Sequence, residues 1–234
     1  MLVLFDVDMT LITTGGVGRR AMCEAGRRVT GSPFDAARVS FSGRLDPLIL
    51  HDLCTAHDLE PTPERIDRLR VAYRETLADL VGEDGAARPL PGAVELVDAL
   101  AERDHVTLGL LTGNFPETGA IKLRAAGVDP DRFHLHVWGC DSPFDPPARE
   151  HLPPIAMERC AERRGVAVGP DRVVVIGDTP HDVSCARAAG CRSLAVATGS
   201  YDRDALDAAG PDRVVDDLAD TDDLLGWIMD PAAA

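Results

Sequence analysis

Short apolar runs alternate with amphipathic stretches over most of this 234-residue chain. Such alternation is typical of a mostly parallel β-sheet that carries helices on both faces. The predicted strands are Leu2 to Asp6, Val106 to Leu111, Leu135 to Gly139, Val173 to Gly177, Ser193 to Ala197 and a short one at Arg213 to Val215. The predicted helices lie near residues 92–103, 116–126, 152–164, 181–189, 203–209 and 217–229. The pattern therefore predicts an α/β fold.

The stretch from about Thr14 to Pro89 departs from this alternation, because it carries helical patterns without a convincing strand. One helix is predicted around Leu48, Leu50 and Leu53, and a longer one over Ile66, Leu69, Val71, Tyr73, Leu77 and Leu80. Glycines and prolines near residues 15–16 and 89–92 provide plausible joints. We therefore expect an all-helical domain at residues 15–89, inserted into a core formed by residues 1–14 and 90–234. The closing residues 231–234 are expected to be a frayed tail.

The charge composition limits the classes of molecule that the chain is expected to bind. The chain has 39 acidic and 24 basic residues, which gives a formal net charge of -15. This excess argues against a surface for nucleic acid or for an anionic membrane. An anionic substrate would be repelled as well, unless a divalent metal and local arginines reverse the sign of the charge inside the cleft.

Apolar runs and cysteine spacing in the sequence also bear on the cellular compartment of the protein. No run approaches the roughly 20 apolar residues of a membrane-spanning helix, and the start lacks the basic and apolar regions of a secretory signal. The six cysteines form no Cys-x-x-Cys pair, which favours unpaired thiols. We therefore expect a cytoplasmic protein without a membrane partner.

Three polar clusters each follow an apolar strand directly. Asp6 and Asp8 follow the apolar run that ends at Phe5, and Thr112-Gly113-Asn114 follows the run that ends at Leu111. The segment from Gly177 to Asp182 follows the run that ends at Ile176. Each cluster alone could simply form a turn or a helix cap. In an open parallel sheet, however, ligands bind beyond the carboxyl ends of the strands. The shared placement therefore predicts one common site.

The residue types in these clusters suit phosphoryl transfer. Asp6 could attack phosphorus to form an acyl phosphate, and Asp8 could protonate the leaving oxygen and then deprotonate water. Mg²⁺ prefers carboxylate and phosphate oxygens, and Asp178 could join Asp6 around such an ion, with Asp182 one helical turn further on. The Thr112 hydroxyl, with the amides of Gly113 and Asn114 at the start of a helix, suits a phosphate oxygen.

Together and in this order, the three motifs resemble those of the haloacid dehalogenase superfamily of aspartate-dependent phosphatases and phosphomutases. The resemblance covers nearly the whole chain and implies a Rossmann-like, doubly wound core. It also implies Asp6 as the nucleophile and Asp8 as the general acid/base, whose backbone carbonyl also binds Mg²⁺. Thr112 would bind the phosphoryl group, and Asp178, supported by Asp182, would complete the metal site.

The insert at 15–89 is similar to the helical C1-type cap of the phosphoglycolate phosphatase and β-phosphoglucomutase branch, and we call it the cap. In that branch the cap closes over the substrate and excludes water. The segment Phe41-Ser42-Gly43-Arg44-Leu45-Asp46 resembles a substrate-specificity loop of related caps. The resemblance therefore implies that Arg44 meets the end of the substrate that does not react.

The chain departs from the family pattern at two positions. The family usually has a lysine between the second and third motifs, often followed by proline, and this chain has no Lys-Pro pair there. Arg149 occupies about the matching position, and its guanidinium could bind phosphate in a bidentate manner. The rival cation is Lys122, the only lysine of the chain, but it falls within a predicted helix and is expected to be solvated. Met9 stands where this branch commonly has glycine, and we expect it to alter the entrance or contact the cap.

The function expected from these observations is Mg²⁺-dependent hydrolysis of a small phosphorylated metabolite through an aspartyl phosphate. Two alternatives stay open: a phosphomutase of the β-phosphoglucomutase type, and a non-catalytic phosphate-binding module on the same fold. Haloacid dehalogenation is disfavoured because it needs neither Asp8 nor the metal ligands. A phosphonate hydrolase with a Schiff-base lysine is disfavoured because the cap contains no lysine. The sequence leaves the physiological substrate open, as well as the choice between monomer and homodimer.

Overall fold

The computed structural model describes residues 1–82, 85 and 87–230. Its strands are β1 (Leu2–Phe5), β2 (Ile12–Thr13), β3 (Arg88–Pro89), β4 (Thr107–Leu111), β5 (Leu135–Val137), β6 (Val173–Gly177), β7 (Arg192–Val196) and β8 (Arg213–Val215). Its helices are α1 (Val17–Thr30), α2 (Asp46–Ala56), α3 (Pro63–Val81), α4 (Ala93–Ala101), α5 (Pro116–Ala125), α6 (Leu152–Arg164), α7 (Pro180–Ala188), α8 (Arg203–Ala209) and α9 (Thr221–Met229). Across these ranges, no helix is both long enough and apolar enough to cross a lipid bilayer. The tail expected to fray lies outside the described residues.

Six strands form one parallel sheet in the order β5-β4-β1-β6-β7-β8. β1 lies between β4 and β6, and its Leu2 is in register with Thr107 on one side and with Val173 on the other. From β1 the sheet therefore extends outward in both directions, which makes its carboxyl end the point where the strand order reverses. The predicted α/β, doubly wound class is confirmed, and ligands bind at this point in open sheets of this kind.

Alternating side chains of β1 fill two separate apolar layers. Val3 and Phe5 pack on one face of the sheet with residues of α4 and α9. Leu2 and Leu4 pack on the other face with residues of α6 and α7. All four are fully buried, and burial of one such side chain contributes about 1.5–3 kcal/mol. The apolar runs read in the sequence therefore fix the sheet between two layers of helices.

Several predicted boundaries shift by a few residues. β1 ends at Phe5 rather than Asp6, and β5 ends at Val137 rather than Gly139. The last helix begins at Thr221 rather than at residue 217, because the Asp220 carboxylate caps it by accepting a hydrogen bond from the Asp223 amide, 3.3 Å away. The residues just before this cap are held in a turn against the core. There the amide of Leu218 donates to the carbonyl of Pro91.

The cap segment contains the helices α1, α2 and α3 and has its own apolar core. Met22, Leu50, Leu69 and Tyr73 lie in this core, which also receives Phe115 from the other part of the chain. An unpredicted two-stranded antiparallel ladder of β2 and β3 brings the two joints together. Strands of two residues are too short to leave a hydrophobic pattern. These contacts support the proposed division into residues 15–89 and a core of 1–14 plus 90–234.

Gly92, in the second joint, provides a test of this packing. Its φ is +74°, and a Cβ at this position would lie 2.0 Å from the carbonyl of Leu218. Gly165 has a similar φ of +68° with nothing within 4 Å of its Cβ position. In both alanine variants, the cost of a left-handed backbone at a residue with a Cβ lowers the free energy of unfolding by about 1–2 kcal/mol. We expect Gly92→Ala to lose about 1–3 kcal/mol more, because its neighbours must shift.

Urea unfolding of the two variants measures this difference in the free energy of unfolding. Equal losses in Gly92→Ala and Gly165→Ala would contradict the close approach of Gly92 to Leu218.

Candidate active site

The three polar clusters lie side by side, because β4, β1 and β6 are neighbours in the sheet. Asp6 directly follows β1, and its amide donates to the carbonyl of Ile176 at 2.9 Å. Thr112 directly follows β4, and Asp178 directly follows β6. The parallel register thus carries a carboxylate, a hydroxyl and a second carboxylate to the same edge of the sheet.

A cleft of about 280 Å³ opens above this edge. Of the predicted site residues, those that line it are Asp6, Asp8, Arg44, Thr112, Gly113, Asn114, Arg149 and Asp178. Asp182 is buried and is not among the residues that line the cleft. The cap contributes other lining residues, among them Met22, Ile49 and Tyr73. The structure therefore brings the predicted residues together, with Asp182 behind the others.

Three buried carboxylates form the acidic part of the site. Oxygen atoms of Asp6, Asp178 and Asp182 lie within 4.8 Å of one another. Burial, together with the charges of Asp182 and Asp8, raises the pKa of Asp6 from 3.8 to about 6, although Arg149 opposes the shift. Burial and the charges of Asp6 and Asp182 likewise raise the pKa of Asp178 well above its ordinary value. The folded chain therefore concentrates negative charge that it does not fully neutralise.

The donor set of this cluster fits a hard divalent cation. Carboxylate oxygens are the ligands that Mg²⁺ prefers, and burial, together with the negative charge of neighbouring carboxylates, raises the pKa values of two members of the cluster. A cation at this position would offset that negative charge. Asp6 and Asp178 face the cleft and are the residues placed to hold the ion, with Asp182 close behind.

Arg149 is the cation that the structure itself supplies to this cluster. It begins a short 3₁₀ turn, residues Arg149–His151, ahead of α6, and its side chain is 4 % exposed. Its Nη2 lies 2.5 Å from Asp182 Oδ1 and 3.2 Å from Asp6 Oδ1. Nη1 donates to the carbonyl of Gly43 in the cap at 3.4 Å. The guanidinium therefore links the nucleophile candidate, the buried aspartate and the cap.

Lys122 is buried, so the expectation that it is solvated is wrong. Its side chain is 6 % exposed, and its Nζ lies 2.8 Å from Asp8 Oδ2 and 2.6 Å from Asn114 Oδ1. Asn114 Nδ2 donates to the same Asp8 oxygen and to Thr112 Oγ1, each at 2.8 Å. Burial alone would lower the pKa of Lys122, but the negative charges of Asp8 and Asp46 and the hydrogen bond to Asp8 raise it above its ordinary value.

The cap approaches the phosphate-loop candidate closely. A Cβ on Gly113 would lie 2.1 Å from the Arg44 carbonyl oxygen, so only glycine fits there. The amide of Asp46 donates to the Gly113 carbonyl at 2.7 Å. The Asp46 carboxylate accepts a hydrogen bond from the Phe115 amide at 3.0 Å, at the start of α5. The negative group at this helix terminus is therefore a side chain of the cap itself.

Arg44 lies at the cleft, but its charge already has a partner. Its Nη2 lies 2.6 Å from Asp52 Oδ2, and its side chain is 32 % exposed. The predicted role of Arg44 at the far end of a substrate stays a proposal, and it requires that Asp52 give up or share this contact.

Met9 adopts a left-handed backbone, with a φ of +61°. This conformation explains why glycine suits the position. Hydrogen bonds hold the strained residue at both ends: its amide donates to the Ile12 carbonyl at 2.7 Å, and its carbonyl accepts from Thr198 Oγ1 at 2.5 Å. Met9 is among the residues that line the cleft, and its effect on the entrance stays a prediction.

Sequence reasoning missed the buried positions of Lys122 and Asp46. A signal for Lys122 was present, since Thr118 and Lys122 are four residues apart on α5 and so lie on one face of that helix. Asp46 carried no comparable signal. An acidic residue before proline at a helix start is ordinary, and its contacts to Phe115 and Thr118 join residues about 70 positions apart.

Comparisons with known proteins agree with this geometry. A family model described as HAD-hydrolase-like matches residues 151–221. Phosphoglycolate phosphatase from Rhodospirillum rubrum is 32% identical over 232 residues, covering 96% of this chain and 90% of that protein. Pyrophosphatase PpaX from Oceanobacillus iheyensis is 22% identical over 224 residues and 96% of each chain. The crystal structure of a hydrolase from Pseudomonas syringae is similar with a TM-score of 0.74, 26% identity and coverage of 97% of this chain and 98% of that one.

The raised pKa of Asp6 makes stability depend on pH in the metal-free protein. Between the ordinary pKa of 3.8 and about 6, the folded state holds a proton that the unfolded state releases. The free energy of unfolding therefore falls as the pH rises through this window. The shift in the pKa of Asp6 from 3.8 to about 6 corresponds to a loss of about 3 kcal/mol in the free energy of unfolding over this window. We expect Asp6→Asn, which cannot ionise, to lose less stability than the wild type between about pH 4 and pH 7.

Denaturant unfolding in the presence of a chelator measures this dependence. Asp216→Asn, whose side chain in the native protein is 83 % exposed, is the matched control and should follow the wild type. Parallel curves for Asp6→Asn and the wild type would contradict the raised pKa.

Proposed function

We propose, because this chain belongs to the haloacid dehalogenase-like hydrolase family, that it is a phosphatase that hydrolyses a small phosphorylated metabolite through an aspartyl phosphate on Asp6. The observation that carries the proposal is the meeting of Asp6, Asp8, Thr112 and Asp178 in one cleft. The relatives include a phosphoglycolate phosphatase and a pyrophosphatase. Both names support hydrolytic phosphoryl transfer, and the difference between them leaves the substrate of this chain open.

Asp6 is the proposed nucleophile. Its carboxylate oxygen attacks the phosphorus and forms an acyl phosphate, while the bond from phosphorus to the ester oxygen breaks. Arg149, 3.2 Å from Asp6 Oδ1, holds the carboxylate in place and offsets part of the local negative charge. Water then attacks the same phosphorus, and the bond to Asp6 breaks to release inorganic phosphate.

Asp8 is the proposed general acid and base. It gives a proton to the leaving ester oxygen in the first displacement and takes one from the attacking water in the second. Its side chain is 38 % exposed, whereas that of Asp6 is 8 % exposed. This difference suits the two roles, because a nucleophile benefits from a dry site and a proton carrier must exchange with water.

Mg²⁺, bound at Asp6 and Asp178 and at the Asp8 carbonyl, would neutralise charge on the phosphoryl group and orient it for attack. The charges of the site support the need for a cation. Within the described residues, ion pairs link carboxylates of the site to two buried cations: Arg149 lies beside Asp6 and Asp182, and Lys122 lies beside Asp8. Without a further cation, an incoming phosphate would meet a site that is already negative.

The cap is proposed to exclude water from the reaction. The carbonyls of Gly43 and Arg44 and the side chain of Asp46 contact the core beside the phosphate-loop candidate. Water exclusion strengthens the electrostatic contacts inside the site. Thr112, with its hydroxyl 2.8 Å from Asn114 Nδ2, and the Gly113 amide are the groups proposed to bind the phosphoryl oxygens.

The nucleophile assignment has a direct test. We expect Asp6→Asn to reduce phosphate release from an aryl phosphate by at least about 10³-fold, because the amide cannot form the covalent intermediate. Asp216→Asn, with its exposed side chain, should keep wild-type activity. Circular dichroism checks that both variants fold. Full activity in Asp6→Asn would remove Asp6 from this role.

The same assay, run on a panel of sugar phosphates, separates hydrolysis from isomerisation. Release of inorganic phosphate supports the phosphatase. Formation of an isomeric sugar phosphate without inorganic phosphate would replace it with a phosphomutase, and binding without turnover of any ester would favour a non-catalytic module.

The metal assignment predicts loss of cation binding in Asp178→Asn. Isothermal titration calorimetry with Mg²⁺ should show binding to the wild type and at least about tenfold weaker binding to the variant, because a ligand is lost. Activity should disappear in excess chelator and return with added Mg²⁺. Unchanged Mg²⁺ affinity in Asp178→Asn would place the ion elsewhere.

A further inference from the structure

Lys122 occupies a position that the proposed reaction does not use. Its ammonium contacts Asp8 and Asn114 at 2.8 and 2.6 Å, yet it lies on α5, away from the usual lysine position that Arg149 occupies here. Lys122 is the only lysine in the chain. A buried ammonium is costly unless charged and polar partners compensate it, so this placement calls for an explanation.

Residues of two cap helices, α1 and α3, lie beside the Lys122 side chain, and a residue of α2 acts on it through its charge. At Gly18 of α1, a Cβ would lie 2.9 Å from Lys122 Cε and 3.1 Å from Nζ, and 3.7 Å from the hydroxyl of Tyr73 in α3. Asp46, the first residue of α2, acts on Lys122 through its charge. Lys122 is therefore enclosed by the core on one side and by the cap on the other.

We propose that Lys122 is a positioning residue that fixes the Asp8 carboxylate when the cap lies over the cleft. One side chain would thereby join cap closure to the placement of the general acid and base. The inference rests on the proposed function, since it gives Asp8 its role.

The physical basis is the difference between a buried and an exposed ion pair. With the cap in place, Gly18 and Tyr73 keep water from the ammonium, and Lys122 must keep Asp8 as its charged partner. With the cap withdrawn, water would solvate both groups, and an exposed ion pair holds its members only weakly. Asp8 would therefore be fixed at the moment when the substrate is enclosed.

Kinetics of Lys122→Met test this role. Displacement of a catalytic group by about 1 Å can slow a reaction by about 10²-fold. We therefore expect kcat for an alkyl phosphate, whose leaving group needs a proton, to fall by about 10²-fold. KM should change less than about threefold, since Asp8 is not the proposed phosphate ligand. The burst of nitrophenolate from an aryl phosphate should slow much less, because that leaving group needs no proton.

Arg124→Met is the matched control, since it removes an exposed basic residue from the same helix. This variant should react with both substrates at the wild-type rates. In Lys122→Met, equal losses in kcat for the alkyl phosphate and in the burst rate for the aryl phosphate would overturn the positioning role. General damage to the site would lower both rates.

The single lysine permits a second measurement that needs no turnover. Protein labelled with ¹³C at the lysine Cε gives one lysine signal by NMR. We expect this signal to differ from that of a solvated lysine and to shift in Asp8→Asn, Tyr73→Phe and Gly18→Ala but not in Arg124→Met. A wild-type signal typical of solvated lysine would overturn the proposal even if Lys122→Met failed to fold.

Failure of the proposed function and failure of the Lys122 proposal give different experimental results. A wild-type protein that hydrolyses no phosphate ester would overturn the proposed function, and with it the catalytic part of this inference. An active wild type whose lysine signal ignores Asp8→Asn would overturn only the role of Lys122.

Discussion

Repulsion among the buried carboxylates of Asp6, Asp178 and Asp182 governs the arrangement of the site. Their oxygens lie within 4.8 Å of one another, at the point where the sheet reverses its strand order. The sheet forces this proximity, because β1 and β6 are hydrogen-bonded in register and an aspartate directly follows each strand. Uncompensated charge in such a place raises the pKa of the carboxyl groups. The buried cations Arg149 and Lys122 are each held here by two polar partners.

Arg149 and Lys122, the buried cations of the site, each contact a different pair of partners. Arg149 contacts Asp6 and Asp182, and Lys122 contacts Asp8 and Asn114. Each cation also meets the cap, Arg149 through the Gly43 carbonyl and Lys122 beneath Gly18. The cap therefore rests on the same side chains that hold the proposed catalytic aspartates. Movement of the cap would change the solvation of both cations, which gives a physical route from substrate enclosure to the geometry of the reacting groups.

Much of the fold could be predicted because its information is local. Leu2 to Phe5 and Val173 to Gly177 are short apolar runs with a polar residue immediately after each, and that pattern predicts both a buried strand and its tip. The positions of Lys122 and Asp46 depend instead on how the cap lies over α5. Their partners are distant in sequence, 114 residues apart for Lys122 and Asp8, and no local pattern encodes such contacts. The ladder of β2 and β3 escaped prediction for the different reason that it is too short.

The negative charge of the whole chain acts at a different range from the charges of the site. A net charge of -15 opposes the approach of an anion, but salt screens this field beyond about 8 Å at physiological ionic strength. Inside the cleft, Arg149 and Lys122 are desolvated, and their fields are correspondingly stronger. The proposed role of Arg44 would place discrimination among substrates at the cap side of the cleft. There the Arg44 charge is compensated by Asp52, so a substrate with a second anionic group would have to compete with Asp52 for Arg44, whereas a substrate that is neutral at that end would leave the pair intact.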